Sequence, residues 1–143
     1  MIALDTNLLV YAHREDSPLH GAARAALAGL PAAGRAWGVP WPSVHEFLAI
    51  VTHPRIYRPP TPAATASRAV AELLGLPHAT TLGETPTHLG LLTELLARPG
   101  VVGPKVHDAR IAAICLGHGV EELWTADRDF SYFPELRTRN PLV

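Results

Sequence analysis

Five acidic residues lie beside the ends of predicted strands or near the starts of predicted helices. Asp5 and Asp127 each follow a short apolar segment typical of a buried strand, and Asp129 comes two residues later. Glu46 and Asp108 fall in the first turns of predicted helices. In an open α/β sheet, functional groups collect beyond the carboxyl ends of the strands, where the following helices begin. We therefore expect these carboxylates to share one edge of a sheet.

Such a group of carboxylates indicates a bound cation. Like charges a few ångströms apart raise each other's pKa and destabilise the fold unless a positive charge lies between them. Oxygen ligands suit a hard ion such as Mg²⁺ or Mn²⁺, which keeps several waters and binds substrate phosphates. One or two such ions polarise a phosphodiester and lower the pKa of an attacking water by several units from about 16. The chemistry indicated is metal-assisted hydrolysis of a phosphodiester bond.

The elements that must position these acids alternate between strand and helix. Strands are predicted at residues 2–4, 36–39, 122–125 and 136–139, with a weaker segment at 80–82. Helices are predicted at 7–13, 18–30, 42–51, 62–74, 86–96 and 104–116, the second of them ended by Pro31. This order predicts the α/β class, as a three-layer α/β/α sandwich around a mostly parallel sheet.

Composition narrows the class of protein further. With 143 residues, 48% of them hydrophobic and 17% charged, we expect one globular domain over residues 1–143. No apolar run is long enough to span a membrane, so we expect a cytoplasmic protein. The net charge of −1 does not indicate a protein that coats nucleic acid. Cys115, the only cysteine, is expected to be a buried thiol.

Four segments of the sequence carry a resemblance to a known family. In order and spacing, IALDTNLLVYA, WPSVHEFL, VHDARIAA and LWTADRDFSYFP resemble the acidic motifs of PIN-domain ribonucleases, most closely those of the VapC-type toxins of bacterial toxin–antitoxin (VapBC) pairs. The likeness extends from residue 2 to about residue 140. It implies a PIN-like fold and a metal-dependent endoribonuclease that cuts a structured cellular RNA, such as tRNA or rRNA. It also implies a VapB-like antitoxin as partner, and a homodimer.

The resemblance also implies roles for individual residues. Four acids would form the catalytic and metal-binding group: Asp5, Glu46, Asp108 and Asp127. Asp129 would be a fifth metal ligand. Three polar neighbours would orient the acids through hydrogen bonds: Thr6, Asn7 and Thr125.

Each acid also has an explanation that involves no catalysis. Asp5 could cap the helix that follows it, and Asp127 could cap the turn after its strand. Ser43 and Glu46 have the S-x-x-E spacing of a capping box. Asp108 could complement a helix dipole. These explanations require four separate coincidences, whereas a metal site requires one cause.

The motifs of two other enzyme classes are incomplete in this sequence, and several further residues near the acids have open roles. The zincin motif that HEFLA begins fails because Ala49 stands where the second histidine belongs, and a haloacid dehalogenase-type phosphatase would need an aspartate at Asn7. The alternative function is a non-catalytic PIN-like module that binds RNA or protein. Three arginines could neutralise phosphate or pair with the acids: Arg14, Arg110 and Arg128. His107 could contact RNA or the antitoxin, but we expect it to be a partly buried polar neighbour of Asp108. Four aromatic residues are expected in the core or in the loop beside the site: Trp41, Trp124, Phe130 and Phe133.

Overall fold

A parallel sheet of five strands forms the centre of the protein. The computed structural model describes residues 1–143. The strands are β1 (Ile2–Leu4), β2 (Trp37–Pro40), β3 (Ala79–Leu82), β4 (Glu122–Trp124) and β5 (Thr138–Arg139). They lie in the order β3-β2-β1-β4-β5. The helices are α1 (Thr6–His13), α2 (His20–Ala32), α3 (Trp41–Val51), α4 (Ala63–Leu74), α5 (His88–Leu96) and α6 (Lys105–Gly117), with a short 3₁₀ helix at Arg128–Tyr132.

The strand order places a topological switch point beside β1. This strand pairs in parallel with β2 on one side and β4 on the other, so that Ile2 is level with both Trp37 and Glu122. The chain moves from β1 to one side of the sheet and later returns to the other side at β4. A crevice opens where such a sheet changes direction, outside the carboxyl ends of the strands. Asp5 follows β1, and Asp127 lies beyond the end of β4.

Two hydrophobic cores cover the two faces of the sheet. One includes Leu8, Trp37 and Phe47, and it packs the three helices α1, α2 and α3 against the sheet. The other includes Ile114 and Phe133, and it packs α6 on the opposite face. The predicted α/β/α sandwich with a parallel sheet is therefore confirmed. None of the helices has the length and apolar character that a membrane crossing requires.

Some predicted element boundaries were wrong. The second helix does not end at Pro31 but continues through it to Ala32, and its neighbour Leu30 is buried in the core. Packing of this apolar face outweighs the local cost of a proline in the last turn. The last strand contains only 138–139, because Leu136 is buried in the core before the strand begins.

The aromatic residues divide into two groups. The predicted burial of three of them is confirmed: Trp124, Phe130 and Phe133. Trp41 differs, since it is 41% exposed at the start of α3 and stacks on the His45 ring at 5.9 Å between centroids. Its exposure contrasts with the burial of Val44 and Phe47 in the same helix.

Candidate active site

Asp5 is the most buried of the acids, with 5% of its surface exposed. It is the N-cap of α1, and the backbone N–H of Thr6 donates to its Oδ1 at 2.8 Å. Its Oδ2 accepts hydrogen bonds from Thr125 Oγ1 at 2.6 Å and from Asn7 Nδ2 at 3.3 Å. Asp5 therefore does cap the helix through one oxygen. Its second oxygen is held by Asn7 and by Thr125, which follows β4.

Asn7 and Thr125 connect the ends of the two central strands. Asn7 Oδ1 accepts from the backbone N–H of Ala126 at 3.2 Å, and Asn7 Nδ2 also lies 3.3 Å from Thr125 Oγ1. The same threonine oxygen accepts from the backbone N–H of Asp127 at 2.9 Å. The segment that carries Asp127 is therefore fixed to Asp5 through the Thr125 hydroxyl.

Glu46 is positioned by Thr6 and not by a capping box. The helix α3 begins at Trp41, with Pro40 as N-cap and no capping side chain, so Ser43 already lies inside the helix. Ser43 Oγ is buried without a hydrogen-bond partner. Glu46 is consequently in the second turn of α3, one turn later than predicted. Its Oε2 accepts from Thr6 Oγ1 at 2.9 Å, which directs the carboxylate toward the end of β1.

The remaining three acids form a cluster of the size that an ion requires. One carboxylate oxygen from each of Asp108, Asp127 and Asp129 lies within 4.8 Å of the others. Asp127 caps the 3₁₀ helix, because its Oδ1 accepts from the backbone N–H of Asp129 at 2.8 Å. Asp129 forms an ion pair with Lys105 at 2.7 Å. Asp108 is in the first turn of α6, and neither of its oxygens accepts a hydrogen bond from the protein.

A cavity of about 260 Å³ is lined by four of the five acids. Its polar wall consists of Asp5, Thr6, Asn7, Glu46, Asp108 and Asp127, and its other wall of Val10, Tyr11, Ile50 and Tyr57. Asp129 lies outside it. A larger cavity of about 500 Å³, bordered by α1, α2, α3 and α4, is mostly apolar and contains none of these acids. The structure thus brings together at one edge of the sheet all the acids that the sequence places there.

Two of the acids have strongly raised pKa values. Burial raises the pKa of Asp5 to about 6, although the hydrogen bonds from Thr125 and Thr6 oppose the change. Burial also raises the pKa of Asp108 to about 6, and the charges of Asp127 and Asp129 add to the effect. Carboxylates that disfavour each other's ionisation fit a site where a divalent cation supplies the missing positive charge. A set of carboxylate oxygens suits a hard cation.

The three arginines and His107 form no ion pair with the acids of the site. Arg14 forms an ion pair with Asp16, and Arg110 forms one with Glu84. Arg128 forms no ion pair. His107 is exposed and not partly buried as predicted, because the side of α6 on which it lies faces solvent.

Sequence reasoning missed three residues at this site. Lys105 is three positions before Asp108, a spacing that places both on one side of a helix. Tyr11 is four positions after Asn7 in α1, which is also a spacing that a helix brings together. Tyr57 lies in the proline-rich connection between α3 and α4, where no periodic pattern could place it.

Comparisons with known proteins were consistent with one family. The PIN domain family matches residues 2–136. Ribonuclease VapC31 of Mycobacterium tuberculosis is 36% identical over 141 residues, covering 99% of each chain, and Ribonuclease VapC25 of the same organism is 34% identical over the full length of both. Among solved structures, VapBC2 from Rickettsia felis, bound to a DNA fragment from their promoter, has a TM-score of 0.71 at 19% identity, covering 98% of each chain. Mycobacterium tuberculosis VapC20, described as a sarcin-ricin loop cleaving toxin, has a TM-score of 0.68 at 20% identity, covering 92% of this chain and 93% of that one.

Proposed function

The chain belongs to the VapC-type ribonucleases of the PIN-domain family, and we propose that it is an endoribonuclease that needs Mg²⁺ or Mn²⁺. In this proposal it hydrolyses phosphodiester bonds of a structured cellular RNA, either tRNA or rRNA, and acts as the toxin of a toxin–antitoxin pair. The observation that carries the proposal is the ion-sized cluster of Asp108, Asp127 and Asp129 beside the buried Asp5.

In this proposal one or two ions are held by five acids: Asp5, Glu46, Asp108, Asp127 and Asp129. When bound, a divalent cation neutralises phosphate charge and lowers the pKa of a water. The hydrogen bonds divide the acids by their freedom to take part. Both oxygens of Asp5 are occupied by donors, whereas Glu46 Oε1 and both oxygens of Asp108 accept no hydrogen bond. Asp5 therefore acts as a fixed anchor, and Asp108 and Glu46 offer free oxygens to an ion or to a proton.

Thr6, Asn7 and Thr125 act in this proposal by orienting the carboxylates. Thr6 holds Glu46 through its hydroxyl and Asp5 through its backbone N–H. Thr125 holds Asp5 and the backbone of Asp127. Groups that are oriented before the substrate binds need no rearrangement during the reaction, which is the source of much enzymatic rate acceleration.

The substrate and the partners follow from the family. VapC20 is described as cleaving the sarcin-ricin loop, and the Rickettsia felis structure contains a VapBC pair. We extend these properties to this chain as a structured RNA substrate and a VapB-like antitoxin. The antitoxin would bind over the toxin and direct a segment toward the acids. The remaining parts of the proposal are that residues 1–143 form one PIN domain, which is cytoplasmic and pairs as a homodimer.

Substitution of Asp108 tests the metal-dependent reaction. Purified parent protein, without antitoxin, should cleave total cellular RNA in Mg²⁺ or Mn²⁺ and lose this activity in a chelator. Asp108→Asn should reduce the cleavage rate by more than about a hundredfold, since it removes a proposed metal ligand. The matched control is Glu94→Gln, which neutralises an exposed acid of α5 and should cleave like the parent. Sequencing of the 5′ ends of the fragments identifies the bond that is cut.

The opposite result would favour the non-catalytic alternative. If the parent cleaves no RNA with either metal but still binds RNA or protein, the chain is a PIN-like binding module. If Asp108→Asn cleaves at the parental rate, the assignment of the acids is wrong even though the protein is a ribonuclease.

A further inference from the structure

The cavity that contains the acids has a second wall of different chemistry. It consists of Val10, Tyr11, Ile50 and Tyr57, which line the cavity beside the carboxylates. Both tyrosines are half-buried, and each packs partly against the core beneath α1 and α3. Neither tyrosine hydroxyl takes part in a hydrogen bond within the protein. The wall therefore combines apolar surface and aromatic rings with two polar groups that have no partner.

Tyr57 is held in place by Arg14, whose guanidinium lies 4.2 Å from the centre of the ring. Such a contact between a cation and an aromatic ring is attractive. Arg14 in turn donates to both carboxylate oxygens of Asp16, at 2.9 and 2.7 Å, and to the backbone oxygen of Pro59 at 3.0 Å. A residue from a loop is thus fixed at the cavity by a chain of contacts that begins at the end of α1.

This wall is poorly suited to bind phosphate. No basic side chain lines the cavity. The guanidinium that contacts Tyr57 is that of Arg14, and its Nε, Nη1 and Nη2 atoms already donate within the protein. The part of a nucleotide that matches a half-exposed aromatic surface with free hydroxyls is the base, which has a flat face and polar edges.

We propose that Tyr11 and Tyr57 form a binding subsite for one nucleobase of the RNA, next to the phosphate that the acids hold. The inference rests on the proposed ribonuclease function, since it uses the same cavity. It assigns Arg14 as a positioning residue that acts through Tyr57, in place of either role that the sequence left open for it. Aromatic stacking tolerates different bases, so the subsite holds the strand at the acids more than it selects a sequence.

The test measures binding in place of cleavage. Asp108→Asn serves as the uncleaving background, and the probe is a short oligouridine that carries one 2-aminopurine, whose fluorescence falls when it stacks on an aromatic ring. A second probe has an abasic riboside at the same position. In this background the base-containing probe should bind on the order of tenfold more tightly than the abasic one, and its fluorescence should be quenched.

Variants of the loop assign the effect to the ring. Tyr57→Leu should remove both the quenching and the preference for a base, and Tyr57→Phe should retain both because it keeps the ring. Ile56 is the exposed neighbour of Tyr57 and does not line the cavity. Ile56→Ala should therefore show the same quenching and the same preference for a base as the Asp108→Asn background. Arg14→Met should weaken the preference while leaving Tyr57 present.

Two results would overturn the subsite. One is equal binding of the two probes to the Asp108→Asn protein. This result can be obtained even if the tyrosine variants do not fold. The other is unchanged quenching in Tyr57→Leu. Either result leaves metal-dependent cleavage by the parent untouched, so the subsite fails alone. Conversely, if the parent cleaves no RNA while the base preference and its loss in Tyr57→Leu are observed, the ribonuclease proposal fails and the subsite stands.

Discussion

The site has an inner corner around Asp5 and an outer corner around Asp129, and the two are built differently. Asp5 is 5% exposed and accepts three hydrogen bonds from Thr6, Asn7 and Thr125. The Asp129 side chain is 54% exposed, and its carboxylate is paired with Lys105. The inner acid is held by neutral donors in the protein interior, whereas the more exposed outer acid is held by the ammonium of Lys105.

The difference indicates how the two corners are prepared for an ion. Neutral donors orient Asp5 without cancelling its charge, so the inner corner keeps its attraction for a cation. Lys105 does cancel charge, so at the outer corner an incoming ion must compete with a positive group that is already present. We therefore expect the inner corner to provide fixed geometry for the proposed ion and the outer corner to rearrange when the ion binds.

Among the predictions that test this comparison of the two corners, the largest effect is expected at Thr125 in the inner corner. Thr125→Val keeps the size of the side chain but removes the hydroxyl that holds Asp5 and the backbone of Asp127. Loss of such an orienting group typically costs about 10- to 100-fold in metal affinity or activity. The RNA cleavage rate at saturating Mn²⁺ measures the loss. Thr125→Ser retains the hydroxyl and should recover most of the rate, whereas Thr80→Val, on the exposed part of β3, should have no effect. Equal losses in the Val and Ser variants would contradict the role of the hydroxyl.

A second prediction concerns the cost of burying Asp5 without a metal. Because burial raises its pKa from 3.8 to about 6, the folded protein binds this proton more tightly than the unfolded chain does. The stabilising contribution of the Asp5 proton is therefore fully present below the unfolded-state pKa of 3.8 and is lost as the pH rises through the folded-state pKa. The loss amounts to about 3 kcal/mol in all, roughly 1 kcal/mol of it between pH 5 and pH 7. Urea unfolding in a chelator, at several pH values, measures it.

The comparison with Asp5→Asn isolates this contribution. Asp108 acts in the same direction, and the half-buried His13 acts in the opposite one, since partial burial lowers its pKa and folding then disfavours its protonation. Both groups remain in the variant. As the pH rises, the unfolding free energy of the parent should therefore fall relative to that of Asp5→Asn. Addition of Mg²⁺ at neutral pH should stabilise the parent more than the variant. A difference that does not depend on pH would contradict the prediction.

Much of the fold could be predicted from the sequence because local patterns agree with it. The apolar residues 2–4 are buried on both faces, as expected of a central parallel strand. The errors occurred where tertiary packing overrides local preference. Pro31 lies inside α2, and α3 begins before Ser43, because the apolar faces of both helices are stabilised by the core and not by their terminal residues.

The acids could be placed at one edge from topology alone, since each lies close to the end of a strand or the start of a helix. Their mutual arrangement could not. The hydrogen bond from Thr6 to Glu46 joins residues 40 positions apart, and the one from Thr125 to Asp5 joins residues 120 positions apart. The position of Tyr57 at the cavity depends on the path of a loop. The pairing of Lys105 with Asp129 depends on where the 3₁₀ helix packs against α6.

The smallest expected effect concerns the outer corner and Lys105. Its Nζ lies 2.7 Å from Asp129 Oδ1 and 4.5 Å from the centre of the Tyr132 ring. If this ammonium competes with a metal ion for Asp129, Lys105→Met should lower the Mn²⁺ concentration that gives half-maximal cleavage. An ion pair at the surface contributes little, so we expect a decrease of about two- to fivefold. Arg110→Met removes an equal charge from a pair with Glu84 and should leave that concentration unchanged. A higher Mn²⁺ requirement in Lys105→Met would mean that Lys105 orients Asp129 for the ion, and the outer corner would then be prepared in advance like the inner one.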